Sequence, residues 1–299
     1  MSAAPRKPPA GPPAPAAGEA PSASEAAPAE QPRPPSWWTT LRADAPVVSR
    51  LLIGAGSIGL IMLVWFLVTW GKPTEAFISP SKLPSPGAVF GSLSQLLDRD
   101  LSGAVLDTMW RVFKGVALAA IIGISLGVLA ASFRAVAAAL GPVVLFLRSV
   151  PMGAMLPLTM VWFGTAEKQK SMFIFLAVVP FVFSDAVKAV AMVPQRYVET
   201  AETLGASRLQ IIHKVLVPLA LPDIITSLRF QIGLALGYIM LAEVMDAPSG
   251  IGVLLNNGTR RGLIENNYLI LFIIALLAFG LDWFIRYMQR YVFHYRRDL

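Results

Sequence analysis

Apolar residues run through this chain in long blocks. Leu51–Trp70 holds twenty residues without a charge, and Gly115–Ser132 holds eighteen. Ser171–Phe183 is apolar up to Asp185, and the run resumes to Val193. Phe230–Met245 is interrupted only by Glu243, and Tyr268–Ile285 only by Asp282. Asp282 has Arg286 one helical turn on as an ion-pair partner. About 20 apolar residues cross a hydrocarbon core of about 30 Å, so each block is predicted to be a membrane-spanning helix. A sixth stretch, Ala135–Gly164, is about thirty residues and too long for one straight span. Pro142, Arg148, Pro151 and Pro157 interrupt it, which predicts a kinked or two-part helix. The expected fold class is all-α, a polytopic membrane protein of about six transmembrane helices.

Composition points the same way. The chain is 55% hydrophobic and only 14% charged, with a mean hydropathy of +0.62, where a soluble domain carries about 25% charged residues. Lipid is the solvent for most of it, which excludes a soluble enzyme. The net charge of +7 is spread over the ends of the apolar blocks. Basic residues there anchor spans in the bilayer, so the partner they imply is lipid and not nucleic acid. With both termini cytoplasmic, twelve Lys and Arg lie near the inner ends of the spans. Nine lie outside, Arg111 and Lys114 among them. The bias favours an N-in, C-in topology and a cytoplasmic loop between about Val193 and Leu228. The absence of cysteine excludes a disulfide framework, a thiolate nucleophile and cysteine metal sites. Two histidines, His213 and His294, leave almost nothing for metal or acid–base chemistry. Residues 1–36 contain eleven prolines and read as a disordered cytoplasmic leader. Trp37 and Trp38 then suit the headgroup zone, opening a transmembrane domain over 37–299.

Within the second block, Gly115, Ala119, Gly123 and Gly127 recur every four residues on one face. In lipid such a face predicts close backbone packing against another helix. Gly123–Gly127 also fits the G-x-S-x-G pattern of a serine hydrolase around Ser125. That elbow needs a strand before it and a helix after it, and this one lies mid-helix. No phosphate-binding loop is present: Gly71-Lys72 is followed by Pro73.

The most informative stretch is Pro194–Asp223. Pro194 can open a short helix with Tyr197, Ala201 and Leu204 on one face. Gly205 is placed to end it in a left-handed conformation. Ser207 and Gln210 form an S-x-x-Q capping box that starts a second helix at once. Leu209, Ile212 and Leu216 share one side of this helix, and Pro218 with Pro222 is expected to end it. The prediction is a capped helix–glycine–helix knob between two spans, with an apolar stripe suited to a partner's groove.

This stretch resembles the cytoplasmic EAA loop of ABC importer membrane subunits. Glu199, Ala201, Gly205 and Pro218 stand at matching places, with Thr200 for the first Ala and Val215 and Val217 for Ile and Leu. The run Glu199–Ser207 after Pro194-Gln195 is similar to the nitrate/sulfonate/taurine branch. So are Leu83-Pro84-Ser85-Pro86, Arg148-Ser149-Val150-Pro151, Pro157-Leu158 leading to Trp162-Phe163-Gly164, and Ala242-Glu243 followed by Gly250-Ile251-Gly252. The likeness covers about residues 78–290.

The resemblance implies a type I ABC importer permease in the inner membrane, moving nitrate, a sulfonate, taurine or a similar solute inward. It implies a second permease copy, cytoplasmic ABC ATPase subunits that hold the ATP and Mg, and an extracytoplasmic solute-binding protein. This chain itself would carry no cofactor and no catalytic residue. ATPase coupling falls on Glu199, Thr200, Ala201, Glu202, Leu204, Gly205, Ala206 and Ser207. Ionisable groups inside a membrane are functional candidates, so the translocation pathway is expected to involve Arg148, Glu243 and Asp246, with Pro151, Met152 and Tyr238 nearby. Arg148 and Glu243 are further expected to meet solute or each other. An intramembrane serine hydrolase and a non-transporting scaffold are the alternative functions.

Overall fold

A computed structural model describes residues 45–71 and 78–294; the leader 1–36 and the Trp37-Trp38 pair lie outside them. The chain divides into two units at Leu60. The first is the start of helix α1 (Val47–Val68), none of whose residues is buried. Among the described residues the second holds the rest of α1 and eleven further α-helices.

Two short helices, α2 (Pro86–Gly91) and α3 (Leu93–Leu97), precede the long α4 (Leu101–Ser132). Ser85 caps α2 through its side chain, with Pro86 at the first helical position. Next come α5 (Arg134–Ser149), α6 (Met152–Phe163) and α7 (Glu167–Ala191). The small-residue face of α4 packs on α7: a Cβ on Gly115 would lie 2.6 Å from that of Ile174, and one on Gly127 2.7 Å from that of Ala186. Gly123 meets Val182 in the same way. All three pairs share one sequence offset, so α4 and α7 run parallel.

Parallel neighbouring spans require the chain between them to cross back. Helices α5 and α6 make that return as a pair bent by 105° at Val150-Pro151. The two-part helix expected from the prolines is therefore present, with the break at Pro151, whereas Pro142 and Pro157 lie inside helices.

The second span is longer than its charge-free run. Helix α4 begins fourteen residues earlier than Gly115, at Leu101, and takes in Arg111 and Lys114, which the charge pattern placed in an outer segment. After α8 (Gln195–Thr203) and α9 (Arg208–Ile211) a second difference appears. Pro218 and Pro222 do not end the helix. A π-helical turn at Ile212–Leu216 leads directly into α10 (Val217–Asp246). The turn shifts the hydrogen-bond register, Val217 N–H reaching back to the Ile212 carbonyl, just before the residue that has no N–H to offer. The last two described helices are α11 (Ile251–Arg260) and α12 (Ile264–Val292).

The main core lies where α4, α6, α7 and α10 meet, around Val116, Leu156, Phe173, Ala177 and Ile239. A second cluster joins α2, α3, α4, α11 and α12, and a third sits where α4, α7 and α10 approach the α8–α9 connection. Among the described residues five helices have the length and apolarity to cross a membrane, or six when the bent pair counts as one span.

Candidate functional site

Two constellations occupy opposite ends of α4, α7 and α10. At one end, α8 and α9 form the expected knob. Gly205 has φ +77°, its N–H donates to the Glu202 carbonyl at 2.9 Å, and Ala206 N–H donates to the Ala201 carbonyl at 3.0 Å. These two bonds are a Schellman closure, which satisfies carbonyls that the helix end leaves unpaired. One residue on, Ser207 N–H donates to Gln210 Oε1 at 2.8 Å, and Gln210 N–H to Ser207 Oγ at 3.4 Å, completing the capping box. Two caps back to back fix the angle between α8 and α9.

Burial sorts the side chains of the knob. Ile211 and Ile212 are buried, and Ile212 with Leu216 joins the cluster around Val128, Ala186 and Ile224. Leu209, expected on that same side, is instead 66% exposed, because the core takes Ile211 in its place. Leu204 is 82% exposed and Tyr197 is also exposed. The knob therefore stands on an apolar root and presents Leu204 and Leu209 outward. Glu199, Thr200, Glu202 and Ser207 are exposed around them, with Ala201 and Ala206 half-buried.

At the other end is an ionic cluster. Arg111 of α4 is 1% exposed. Its Nη1 donates to Glu243 Oε1 at 2.7 Å and to the Ser249 carbonyl at 2.7 Å. Its Nε donates to Glu167 Oε2 at 2.7 Å while Nη2 reaches Glu167 Oε1, a bidentate pair. Thr108 Oγ1 donates to the Glu243 carboxylate at 2.9 Å and accepts from Ile251 N–H. Gly252 N–H donates to Glu243 Oε2 at 2.8 Å. A buried ion pair repays its desolvation only when its remaining donors and acceptors are met, and here they are.

The two glycines of Gly250-Ile251-Gly252 make room for this cluster. Gly250 has φ +119°, and a Cβ there would lie 2.5 Å from Glu243 Cδ; one on Gly252 would lie 2.6 Å from Glu243 Cβ. The loop wraps the carboxylate at backbone contact.

The expected pathway residues do not form one group. Glu243 is locked to Arg111, not to Arg148. Arg148, in the last turn of α5, is exposed and lies over the Phe181 ring at 5.0 Å. Met152 is buried in the main core, and Tyr238 packs against that core edge-on to Phe173. Pro151 sits exposed at the α5–α6 bend, and Asp246 is exposed at the end of α10. Sequence reasoning missed Arg111, although a signal lay one turn away: the spacing Gly115, Ala119, Gly123, Gly127 extends backward to position 111, on the face that packs on α7.

Ser125 donates to the Ile121 carbonyl of its own helix and has no strand–turn–helix around it. Among the described residues no group of acidic or histidine side chains is placed to hold a metal.

Residues 123–294 match the binding-protein-dependent transport system inner membrane component. The chain belongs to this family of ABC importer permeases. The permease is 30% identical over 251 residues to the taurine transport system permease protein TauC of Escherichia coli (strain K12), covering 82% of this chain and 90% of that one. It is 30% identical to the nitrate import permease protein NrtB of Synechocystis sp. (strain ATCC 27184 / PCC 6803 / Kazusa), over 81% and 90% of the two chains. It is 28% identical to a putative aliphatic sulfonates transport permease protein of Bacillus subtilis (strain 168), over 74% of this chain and 80% of that one. Its fold is similar to a chain of the inward-facing MetNI methionine ABC transporter, with a TM-score of 0.56 at 23% identity, covering 64% of this chain and 95% of that one. The serine hydrolase reading has no support in this company.

Proposed function

We propose that this permease imports a small anion or organic solute of the nitrate, sulfonate or taurine kind. It works as one of two copies, with cytoplasmic ATPase subunits below and an extracytoplasmic binding protein above. The knob, residues 194–223, faces the cytoplasm and seats Leu204, Leu209 and the Glu199–Ser207 run in a cleft of the ATPase. Both termini then lie on the cytoplasmic side, because six crossings return the chain to the face where it began.

One observation carries the coupling role: the double cap at Gly205 and Ser207 makes the knob rigid while leaving its apolar tip exposed. A rigid tip on a root continuous with α10 transmits force; a loose loop dissipates it. Gly205→Pro tests this, since proline cannot adopt φ +77° and has no N–H for the Glu202 carbonyl. The variant is expected to reach the membrane at normal abundance but to lose co-purification with the ATPase and lose uptake. Retained co-purification with normal transport would overturn the coupling role.

A further inference from the structure

Helices α10 and α12 carry a second ionic cluster that neither the knob nor the Arg111 site uses. Arg229 Nε donates to Asp282 Oδ1 at 2.9 Å, and Arg286 Nη2 to Asp282 Oδ2 at 2.7 Å. One carboxylate shared by two guanidinium groups leaves one net positive charge. These groups line a cavity of about 300 Å³ together with Phe230, Ile232, Gly233, Ala278 and Ile285. Gly233 and Ala278 carry too little side chain to fill it.

Its depth in the bilayer is marked from two sides. The apolar run of α10 begins at Phe230, directly after Arg229, and that of α12 ends at Ile285, directly before Arg286. Trp283, Tyr287 and Tyr291 follow one another at single-turn intervals on α12, all three exposed, with Trp283 and Tyr287 stacked at 5.9 Å. Exposed aromatic residues in such a row belong at the headgroup level. A cavity there, lined by two arginines, one aspartate and apolar residues, matches a phosphodiester with the first carbons of its acyl chains. Basic pockets between helices at this depth hold anionic headgroups.

We infer that this cavity binds one anionic phospholipid, its phosphate on Arg286 and Arg229 and its acyl chains along Phe230 and Ile285. The leaflet is the cytoplasmic one if the proposed topology holds; the site itself does not depend on that reading.

The test is native mass spectrometry and thermal stability of the purified full-length chain with phosphatidylglycerol against phosphatidylcholine. Preferential retention of phosphatidylglycerol is expected, with an affinity loss of about fivefold in Arg286→Gln, the effect of one interfacial cation. Asp282→Asn is expected to act in the opposite direction and tighten retention, because it removes the competing carboxylate. Equal retention of the two lipids, or the same affinity in both variants, overturns the site. Inorganic phosphate or a short alkyl sulfonate at millimolar concentration is expected not to displace the lipid; displacement would show a free-oxyanion site and overturn the lipid assignment. Because neither arginine touches the knob, loss of lipid preference with intact ATPase association separates failure of this inference from failure of the transport reading.

Discussion

Arg111 and Glu243 decide more of this structure than any other pair, and they are unequal in how they tolerate change. Removing Glu243 leaves a guanidinium buried with only the half-exposed Glu167 as counter-charge. Glu243→Ala is expected to destabilise by about 3–5 kcal/mol, read as a loss of folded protein in detergent on heating. Glu167→Gln is expected to cost far less, about 1 kcal/mol or below, because that carboxylate is 49% exposed and Glu243 stays in place. Gly250→Ala should fall nearer the first, since its Cβ meets both Glu243 and Arg111 and its φ is strained besides. A melt in which the Glu167 variant is the weaker of the two acidic ones would contradict this ordering. Ala242-Glu243 followed by Gly250-Ile251-Gly252 was visible in the sequence as one family-like pattern. The joint purpose of its two pieces was not, because the partner that unites them lies 132 positions away on a residue that resembled a loop cation.

Between helices, the dominant joint is α4 on α7, and it rests on missing side chains. Gly127→Val would place atoms 2.7 Å from the Ala186 Cβ and from the Phe183 carbonyl, neither able to move without its helix. Overpacking of this kind costs about 1–3 kcal/mol, and lower membrane abundance is the expected readout. Gly87→Ala in α2 meets nothing within 4 Å and serves as the neutral control. The joint, the span count and both caps of the knob were readable because each depends on local spacing: every fourth residue, twenty apolar positions, three residues from Ser207 to Gln210. The early start of α4 and the continuous passage through Pro218 were not. Charges inside a helix look like a boundary until a partner helix is known to neutralise them. A proline looks like a stop unless a π turn upstream is known to have shifted the register.

For the molecule as a whole, the two ends of the bundle are tied differently, and this limits how it can move. Arg111 locks α4, α7 and α10 together at one end. Near the other, Gln289 of α12 donates to the Pro222 carbonyl at 2.7 Å, just where the root of the knob becomes α10. A push on the knob is therefore expected to move α10 and α12 together and to carry α4 and α7 with them. In the proposed two-copy assembly such a subunit is expected to rock as a block against its partner copy and not to flex within itself. The chain has no cysteine, so single labels can be introduced cleanly. Spin labels at Leu126 in α4 and Leu234 in α10 of one copy are expected to keep one distance distribution whether the ATPases are empty or trapped with nucleotide. Labels at Leu204 in both copies should change theirs. Were the distance within one copy to shift instead, the Arg111 lock would be a gate that opens during transport, and the block description would give way. Labelling the same Leu204→Cys chain with an impermeant maleimide fixes its sidedness. In intact cells Leu204→Cys should stay unmodified while Arg261→Cys, in the connection between α11 and α12, reacts. Reaction at Leu204 from outside would invert the topology and detach the knob from any cytoplasmic motor.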